Sequence, residues 1–532
     1  MGQADKPPPD PRKGLSLLVQ MFKDIQPLLW LSESGSQAQT EKRKMTNISN
    51  LNLESAKTRA KTLLKSLKNG DAAAVSQAQA DGIDPQTAKL ADALHLIAIE
   101  NGASSWPDLK SQIELAEANK IGIDALVKQL IEDNQEAAHP LAKTLLHEAN
   151  NNFAFACAVH DVEAIAGHLK EGADVNAKLP VIGLEPILVV TRSKWPGKKA
   201  AKAAKVLIDA GADLTAKWFH MGWPTSPLTS LYAAAGIRRD PELTLLLLKS
   251  GIDPNDNESV YHSTETSDTT ILRILLENGA TATKTNALNH QLDTDRIEGL
   301  EILLKAGAQP DEEGYAPALH WAIKRGRSRR ILEMLIAAGA DISREFHGAT
   351  PNSLAILSGH TEAAELLGEL GGPISKAAQA MIDLRAGKNP PKLDPTELSP
   401  SEIECLSFAA SQGEAERVRE LVQLGWPLEG MSYHDGTPIH WACWHGHYHA
   451  AMALVEAGSD LSIKDPRFQA QPLGWVCHGS VNCNPMKADY PKLAEGLLEA
   501  GAPIFEPTSQ TTARPDVLKI IKAWWKKSQE SA

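Results

Sequence analysis

Segments rich in Leu and Ala, each about as long as one helix, recur along the chain and alternate with short polar stretches. Many of them end in a Gly, most often followed by a small residue and then by Asp or Pro. Because Gly readily adopts the left-handed conformation that ends a helix, this pattern predicts a series of helices that each stop at a turn. The glycines of the pattern are Gly172, Gly211, Gly251, Gly279, Gly307, Gly339, Gly371, Gly425, Gly458 and Gly501.

A second pattern lies about twenty residues before these glycines and predicts where helices begin. Its clearest copy is DGTPIHWA at 435–442, and weaker copies surround Pro227, Pro317, Pro351 and Pro472. A Thr or Ser before Pro offers an oxygen to the first free N–H groups of a helix. Proline fits the first helical position, where its missing N–H costs nothing. The segment from one start motif to the following glycine is therefore predicted to form two helices joined by a turn.

Successive glycines of the first pattern lie 28 to 54 residues apart, and the 435–442 motif resembles the Thr-Pro-Leu-His-x-Ala motif of ankyrin repeats. The period of ankyrin repeats is about 33 residues. The resemblance implies an all-α ankyrin-repeat solenoid of stacked helix-turn-helix units with short β-hairpin fingers, preceded by a helical N-terminal leader. Segments 90–98, 102–110 and 465–480 further resemble ankyrin-repeat proteins of the bacterial type.

The resemblance extends over about residues 50–505 and divides the chain into six parts. A disordered leader, or a start assigned too far upstream, is expected at 1–44, and a helical N-terminal region with a degenerate repeat at 45–150. A first stack of ankyrin repeats is expected at 151–373, a Pro-rich elbow or degenerate repeat at 374–402, a second stack at 403–505 and a C-terminal capping helix at 506–532. The array is thus either one stack or two.

Composition agrees with thin stacked helices, because Phe, Trp and Tyr make up only 5% of the residues. The net charge of −12 argues against nucleic-acid and anionic-membrane partners, which need a positive surface. Five cysteines are too few for a disulfide framework and indicate a reducing compartment, so a cytoplasmic location is expected. A monomer without cofactors is also expected. Nucleotide-binding, hydrolase and zinc-protease motifs are absent from the sequence, so no enzymatic activity is expected.

Aromatic and cationic residues in the fingers are the candidate partner-binding residues, because partners of ankyrin arrays usually dock on the fingers and the groove, and aromatics dominate binding hot spots. For the first group, at 218–223, a cluster that seals a long finger is an equally weighted alternative. By contrast, Trp321, Trp441 and Trp475 follow the motif and are expected in the core. The candidates are Trp218, Phe219, Trp223, Phe346, Tyr433, Arg467 and Phe468.

A cluster of His and Cys at 434–483 could in principle provide the four ligands of a zinc ion. Its members would be His445, His447, Cys477, His478 and Cys483. The structural interpretation is preferred, since the motif residue His440 is expected to hydrogen-bond backbone between repeats. No metal site is therefore assigned.

The resemblance implies a protein–protein interaction scaffold or adaptor that binds a partner protein through the concave face and fingers. One alternative is a metal-dependent module or enzyme that uses the 434–483 cluster. Another is a bacterial effector that acts on host proteins.

Overall fold

The computed structural model describes residues 52–132, 138–180, 182–220, 223–432, 435–483 and 488–530. The expectations for residues 1–44 lie outside this part of the chain. The described residues up to Thr281 form one compact unit, and those from Ala282 onward form another. Within the described ranges, no helix is both long and apolar enough to cross a membrane.

The N-terminal unit consists of helices and one β-hairpin. Its helices are α1 (Leu53–Lys68), α2 (Ala72–Ala80), α3 (Leu90–Glu100), α4 (Trp106–Ile121), α5 (Ile123–Ile131), α6 (Ala138–Thr144), α7 (Phe153–Ala158), α8 (Val162–Lys170), α9 (Pro186–Arg192), α10 (Ala200–Asp209), α11 (Ser230–Tyr232), α12 (Pro241–Lys249), α13 (Ser259–Ser263) and α14 (Thr270–Glu277). A 3₁₀ turn spans Leu146–Asn150, and α11 continues as a π-helical turn over Ala233–Arg238. The hairpin pairs β1 (Lys217–His220) with β2 (Trp223–Thr229).

From α7 onward this unit is built of helix pairs. The first helices α7, α9, α11 and α13 each contact the next, and so do the second helices α8, α10, α12 and α14. Small and aliphatic side chains fill the interior between the two rows, among them Ala203, Ala204 and Leu207 of α10, which are fully buried. The expected Ala- and Leu-rich core is therefore present.

Among the described residues of the C-terminal unit, the regular elements are helices, and one isolated β-bridge joins Phe346 to Ala349. Its helices are α15 (Ala287–Gln291), α16 (Ile297–Lys305), α17 (Ala318–Lys324), α18 (Arg329–Ala337), α19 (Pro351–Ser358), α20 (Thr361–Glu369), α21 (Lys376–Arg385), α22 (Pro400–Gln412), α23 (Ala415–Gln423), α24 (Pro438–Trp444), α25 (Tyr448–Glu456), α26 (Pro472–Asn482), α27 (Tyr490–Glu499) and α28 (Pro515–Glu530). A 3₁₀ turn spans Pro395–Glu397. The first helices α15, α17, α19, α22, α24 and α26 contact one another in that order.

The predicted helix-ending role of the glycines is confirmed. All ten have positive φ angles, from 75° at Gly371 to 102° at Gly425. A residue with a side chain is strained in this region, so these positions favour Gly. Two copies of the start motif differ from each other: Thr350 caps α19 with its side chain, whereas Thr437 makes no such bond at the start of α24.

The expectation of β-hairpin fingers is largely wrong for the described residues. Among the described residues, only β1–β2 is a hairpin, and one isolated bridge joins Phe346 to Ala349. The finger backbones instead bond to side chains of the preceding finger. The four acceptors are Asn176 for the N–H of Asp213 (2.7 Å), Asn255 for Thr281 (2.8 Å), Asp311 for Asp341 (2.7 Å) and Glu429 for Asp460 (3.1 Å). In these four fingers one backbone N–H is thus satisfied by the neighbouring finger.

The 374–402 segment, for which an elbow and a degenerate repeat were both open, contributes helix α21. This helix packs against α19 and α23, while α19 and α22 contact each other directly. All eight residues of α19 are buried. Across this helix, Lys324 of α17 forms an ion pair with Glu404 of α22 at 2.6 Å. The row of first helices therefore continues through this segment.

Helix α28 packs against α26 and α27 at the end of the described chain. Its buried residues are Val517 and Ile521. Its two tryptophans, Trp524 and Trp525, are only half-buried. The aliphatic face of α28, rather than its indoles, makes the main contact.

Candidate protein-binding surface

Helices α24 and α26 both begin with proline, Pro438 and Pro472, as the start motif predicts. Thr437 bonds through its hydroxyl to Nδ1 of His440 at 2.7 Å, and Nε2 of His440 lies 3.2 Å from the carbonyl oxygen of Ala470. Burial lowers the pKa of His440, which keeps the ring neutral, so Nε2–H donates while Nδ1 accepts. The predicted hydrogen bond between repeats is confirmed, and it ties α24 to the base of the next finger.

That finger, residues 463–470, is closed by the carboxylate of Asp465. This fully buried side chain accepts the N–H of Phe468 at 2.5 Å, the N–H of Ala470 at 3.0 Å and the indole N–H of Trp475 at 3.0 Å. In addition, the backbone N–H of Asp465 donates to the carbonyl oxygen of Ala470 at 3.0 Å. Three donors satisfy a charge that would otherwise be costly to bury, and they fix the finger on α26.

The finger and the two helices share an aromatic cluster, defined here as Trp441, Trp444, Phe468 and Trp475. Trp475 is 7% exposed and lies at its centre, with ring-centre distances of 5.4 Å to Trp441, 5.9 Å to Trp444 and 6.5 Å to Phe468. The three contacts are edge-to-face, the arrangement that aromatic quadrupoles favour. Phe468 is 60% exposed at the tip of the finger. The cluster thus runs from the core to the surface.

The outward charge of the finger is positive. The guanidinium of Arg467 lies 5.2 Å from the centre of the Phe468 ring, and both Arg467 and Lys464 are exposed. The acidic residue between them, Asp465, is turned inward by the bonds described above. An exposed aromatic ring beside two cations on a fixed loop can anchor an apolar and an anionic group of a partner.

The hairpin β1–β2 corrects one of the predicted partner-binding residues. Trp218 is 4% exposed, with Arg192 4.7 Å from the centre of its ring and Tyr232 stacked at 6.0 Å. Successive residues of a strand point to opposite faces, so burial of Trp218 leaves Phe219 58% exposed. Trp223 lies in β2, and its side chain is outside the described part of the structure. The alternative of a sealing cluster therefore holds for Trp218.

Two other predicted finger residues do not join the aromatic cluster. Phe346 is half-buried, with its ring 5.7 Å from that of His320 and 4.2 Å from that of His347. Its carbonyl accepts the hydroxyl of Ser401 at 2.9 Å. Tyr433 lies outside the described residues.

The expectation that three motif tryptophans are core residues is right for Trp475 and wrong for the other two. Trp321 and Trp441 are half-buried, and their indole N–H groups bond to Asp293 at 3.1 Å and to Ser432 at 2.7 Å. Both indole N–H groups are thus satisfied by the protein while the rings stay partly exposed.

Sequence reasoning missed Trp444. It follows Trp441 by three residues, and that spacing places the two side chains on one face of α24. On α26 its neighbour is His478, whose ring lies 5.5 Å away. The helical spacing was the signal that could have identified it.

The histidines and cysteines of the 434–483 cluster separate into different contacts. Cys483 Sγ lies 3.2 Å from His445 Nδ1, whereas Cys477 is buried and burial raises its pKa to about 12. Burial also raises the pKa of Cys483 and lowers the pKa of His445 to about 4. The pair is therefore a thiol and a neutral imidazole near pH 7. The imidazole of His447 bonds to the backbone of Ser411, and no group of three or more His, Cys, Asp or Glu among the described residues could hold a metal ion.

A family model described as ankyrin repeats matches residues 374–465 in three copies. The match begins in the segment of α21 and ends at Asp465, so it contains α24 and the start of finger 463–470. No curated protein matches the chain. The described chain is thus helix-rich and has ankyrin repeats in its C-terminal unit.

Proposed function

With ankyrin repeats at 374–465 as the premise, we propose that this chain is a protein-binding scaffold or adaptor. Ankyrin repeats are generally protein-interaction modules. The proposed contact surface is finger 463–470 with the adjoining faces of α24 and α26. The observation that carries the proposal is Phe468, 60% exposed on a loop that the buried Asp465 holds in place.

Binding energy at protein interfaces is concentrated in a few aromatic and Arg residues near the centre of the contact. Phe468 and Arg467 combine these two residue types on one finger, and Trp475 supports the ring from beneath. Because the finger is already ordered by three hydrogen bonds to Asp465, little conformational entropy is lost when a partner docks. The proposal assigns no chemical step to the chain.

The cysteines support a reducing compartment such as the cytoplasm as the site of this function. All five are free thiols, and four of them are buried. Disulfides are rare where thiols are kept reduced. This part of the proposal concerns location only.

The test is affinity capture followed by mass spectrometry with three forms of the full chain. These are the wild type, the double variant Arg467→Ala/Phe468→Ala, and the control Phe219→Ala, which removes an equally exposed ring from the hairpin. Loss of one aromatic and one Arg anchor should reduce recovery of direct partners about tenfold or more, at an unchanged melting temperature. The control should recover them as the wild type does.

The proposal for this surface fails if the double variant captures the same proteins at wild-type levels. Loss of partners with Phe219→Ala alone would move the contact to the hairpin. A lower melting temperature in the double variant would show that the finger supports the fold, and the single variant Arg467→Ala, which leaves the aromatic cluster intact, would then decide.

A further inference from the structure

The segment 192–205 contains six Lys or Arg residues and no Asp or Glu, in a chain whose net charge is −12. It forms the loop after α9 and the first half of α10. Three of its lysines, Lys198, Lys199 and Lys202, are exposed and are called here the basic ridge. No ion pair of these three lysines occurs among the described residues, whereas Lys205 pairs with Asp209 at 2.8 Å.

The three lysines lie together at the start of α10. Lys199 is its N-cap residue, and Lys202 follows by three positions, the spacing of neighbours on a helix surface. Lys198 is the last loop residue before the cap. The opposite face of α10, with Ala203, Ala204 and others, is buried in the repeat. The ridge therefore places three exposed lysines at the start of α10, away from its buried face.

A buried arginine fixes the loop that carries the ridge. The guanidinium of Arg238 donates to the carbonyl oxygens of Ser193, Trp195 and Gly197, the last two at 3.3 Å, and its Nε pairs with Asp240 at 3.2 Å. Only 8% of this side chain is exposed. The ring of Trp195, 9% exposed, lies 5.6 Å from that of His139 beneath the loop. Because the carbonyls are held inward, the lysines are presented on a preorganised surface.

The N-terminus of α10 carries the opposite charge to the N-termini of the helices beside it. Helices α8 and α12, which flank α10, begin with the N-caps Asp161 and Asp240 and carry Glu163 and Glu242 in their first turns. A helix N-terminus has a partial positive charge, which acidic residues stabilise and lysines oppose. Lys199 makes no side-chain cap bond that would compensate. A surface whose charges are unfavourable in isolation gains most from an added anion.

We propose that the basic ridge is a docking surface for an acidic segment of a partner protein, a stretch of consecutive Asp and Glu side chains. The site is separate from finger 463–470 and does not depend on it. A carboxylate-rich segment complements three neighbouring exposed lysines, and Glu163 and Glu242 in the first turns of the two flanking helices place negative charge on both sides of them. A nucleic-acid duplex or an anionic vesicle would press its phosphates against those two carboxylates.

The experiment measures binding of a short fluorescent polyglutamate peptide to the full chain by anisotropy at low and physiological salt. The test variant is Lys198→Glu/Lys199→Glu/Lys202→Glu. The matched control is Lys170→Glu/Lys178→Glu/Lys249→Glu, which changes the net charge equally at three exposed lysines of the same unit. The wild type should bind, with an affinity that falls as salt rises. The affinity of the ridge variant should be lower than that of the wild type by about tenfold or more. The affinity of the control should stay close to that of the wild type.

Equal weakening in both variants would overturn the proposal, because net charge alone would then govern binding. So would the absence of measurable binding by the wild type at low salt. Parallel titrations use a short DNA duplex and phosphatidylserine vesicles. Tighter binding of either one than of the peptide, with loss in the ridge variant, would overturn the assignment to an acidic protein segment.

Discussion

At the scale of single residues, His262 of α13 is a buried histidine held between two carboxylates. It is 8% exposed, with Nδ1 2.7 Å from a carboxylate oxygen of Glu265 and Nε2 3.4 Å from one of Glu258. Burial is the largest effect and lowers the pKa, but the hydrogen bonds and charges of the two glutamates together outweigh it and raise the pKa to about 9. His262 is therefore an imidazolium at neutral pH.

This raised pKa makes the stability of the N-terminal unit depend on alkaline pH. A His whose folded pKa exceeds its ordinary value of 6.5 contributes its full stabilisation below pH 6.5 and loses it as pH rises through about 9. The loss is on the order of 3 kcal/mol. Urea unfolding at pH 6.5 and at about pH 10 measures it. The variant His262→Gln should lose much less stability between the two pH values than the wild type, and equal losses would contradict the assignment.

Residue-level prediction succeeded where a repeat motif specified the partner of a side chain. His440 was predicted from its motif position, and its bond to the next finger is present. For Trp218 the sequence left a partner contact and a sealing cluster open, because it does not show which face of the finger strand is covered, and Arg192 and Tyr232 come from other elements. Asp465 was not recognised, because the buried role of an acidic residue depends on donors that only the folded finger supplies.

At the scale of elements, the aromatic cluster depends on the close approach of α24 and α26. A Cβ atom on Gly479 of α26 would lie 2.3 Å from the carbonyl oxygen of Trp444 at the end of α24. Backbone cannot yield as a flexible side chain can, so only Gly permits this distance. The packing that brings Trp444 to 5.9 Å from Trp475 thus rests on a residue without a side chain.

The variant Gly479→Ala should therefore force α26 away from α24. We expect a loss of about 1 to 3 kcal/mol in the free energy of unfolding, typical of overpacking, together with a change in tryptophan fluorescence. The matched control is Gly368→Ala in α20, where an added methyl group meets no atom within 4 Å. Ala has the higher helix propensity, so the control should be neutral or stabilising. Similar effects of the two variants would show that the approach is not tight.

The prediction of secondary-structure elements was limited by contacts between neighbouring repeats. The glycines and prolines predicted the ends of many helices because capping is local. The fingers could not be derived in the same way, since their N–H groups bond to acceptors such as Asn255 and Glu429 one repeat earlier. The burial of every residue of α19 likewise depends on α21 and α22, which follow it in the chain.

At the scale of the whole molecule, the boundary between the two compact units falls at Thr281 and Ala282, between helices α14 and α15. The proline-rich segment suggested a boundary at 374–402 from composition alone. A high proline content indicates a locally stiff backbone. It does not indicate which helices on the two sides of the segment pack against each other. In the C-terminal unit, Leu393 of that segment is buried and its N–H bonds to the carbonyl of Leu424 at 2.8 Å.

An experiment with two fragments distinguishes a continuous stack of repeats from a second stack that begins after an elbow. Fragment 282–532 keeps the contacts of α22 with α19 and of Leu393 with Leu424, so it should be helical and melt in a cooperative transition. Fragment 403–532 lacks α19 and α21 and would expose side chains that α22 now buries, among them Cys405 and Leu406. Since each repeat is stabilised by its neighbours, this fragment should melt at a clearly lower temperature or associate. Circular dichroism and light scattering measure both outcomes, and equal melting temperatures with a monomeric 403–532 fragment would instead support an independent second stack.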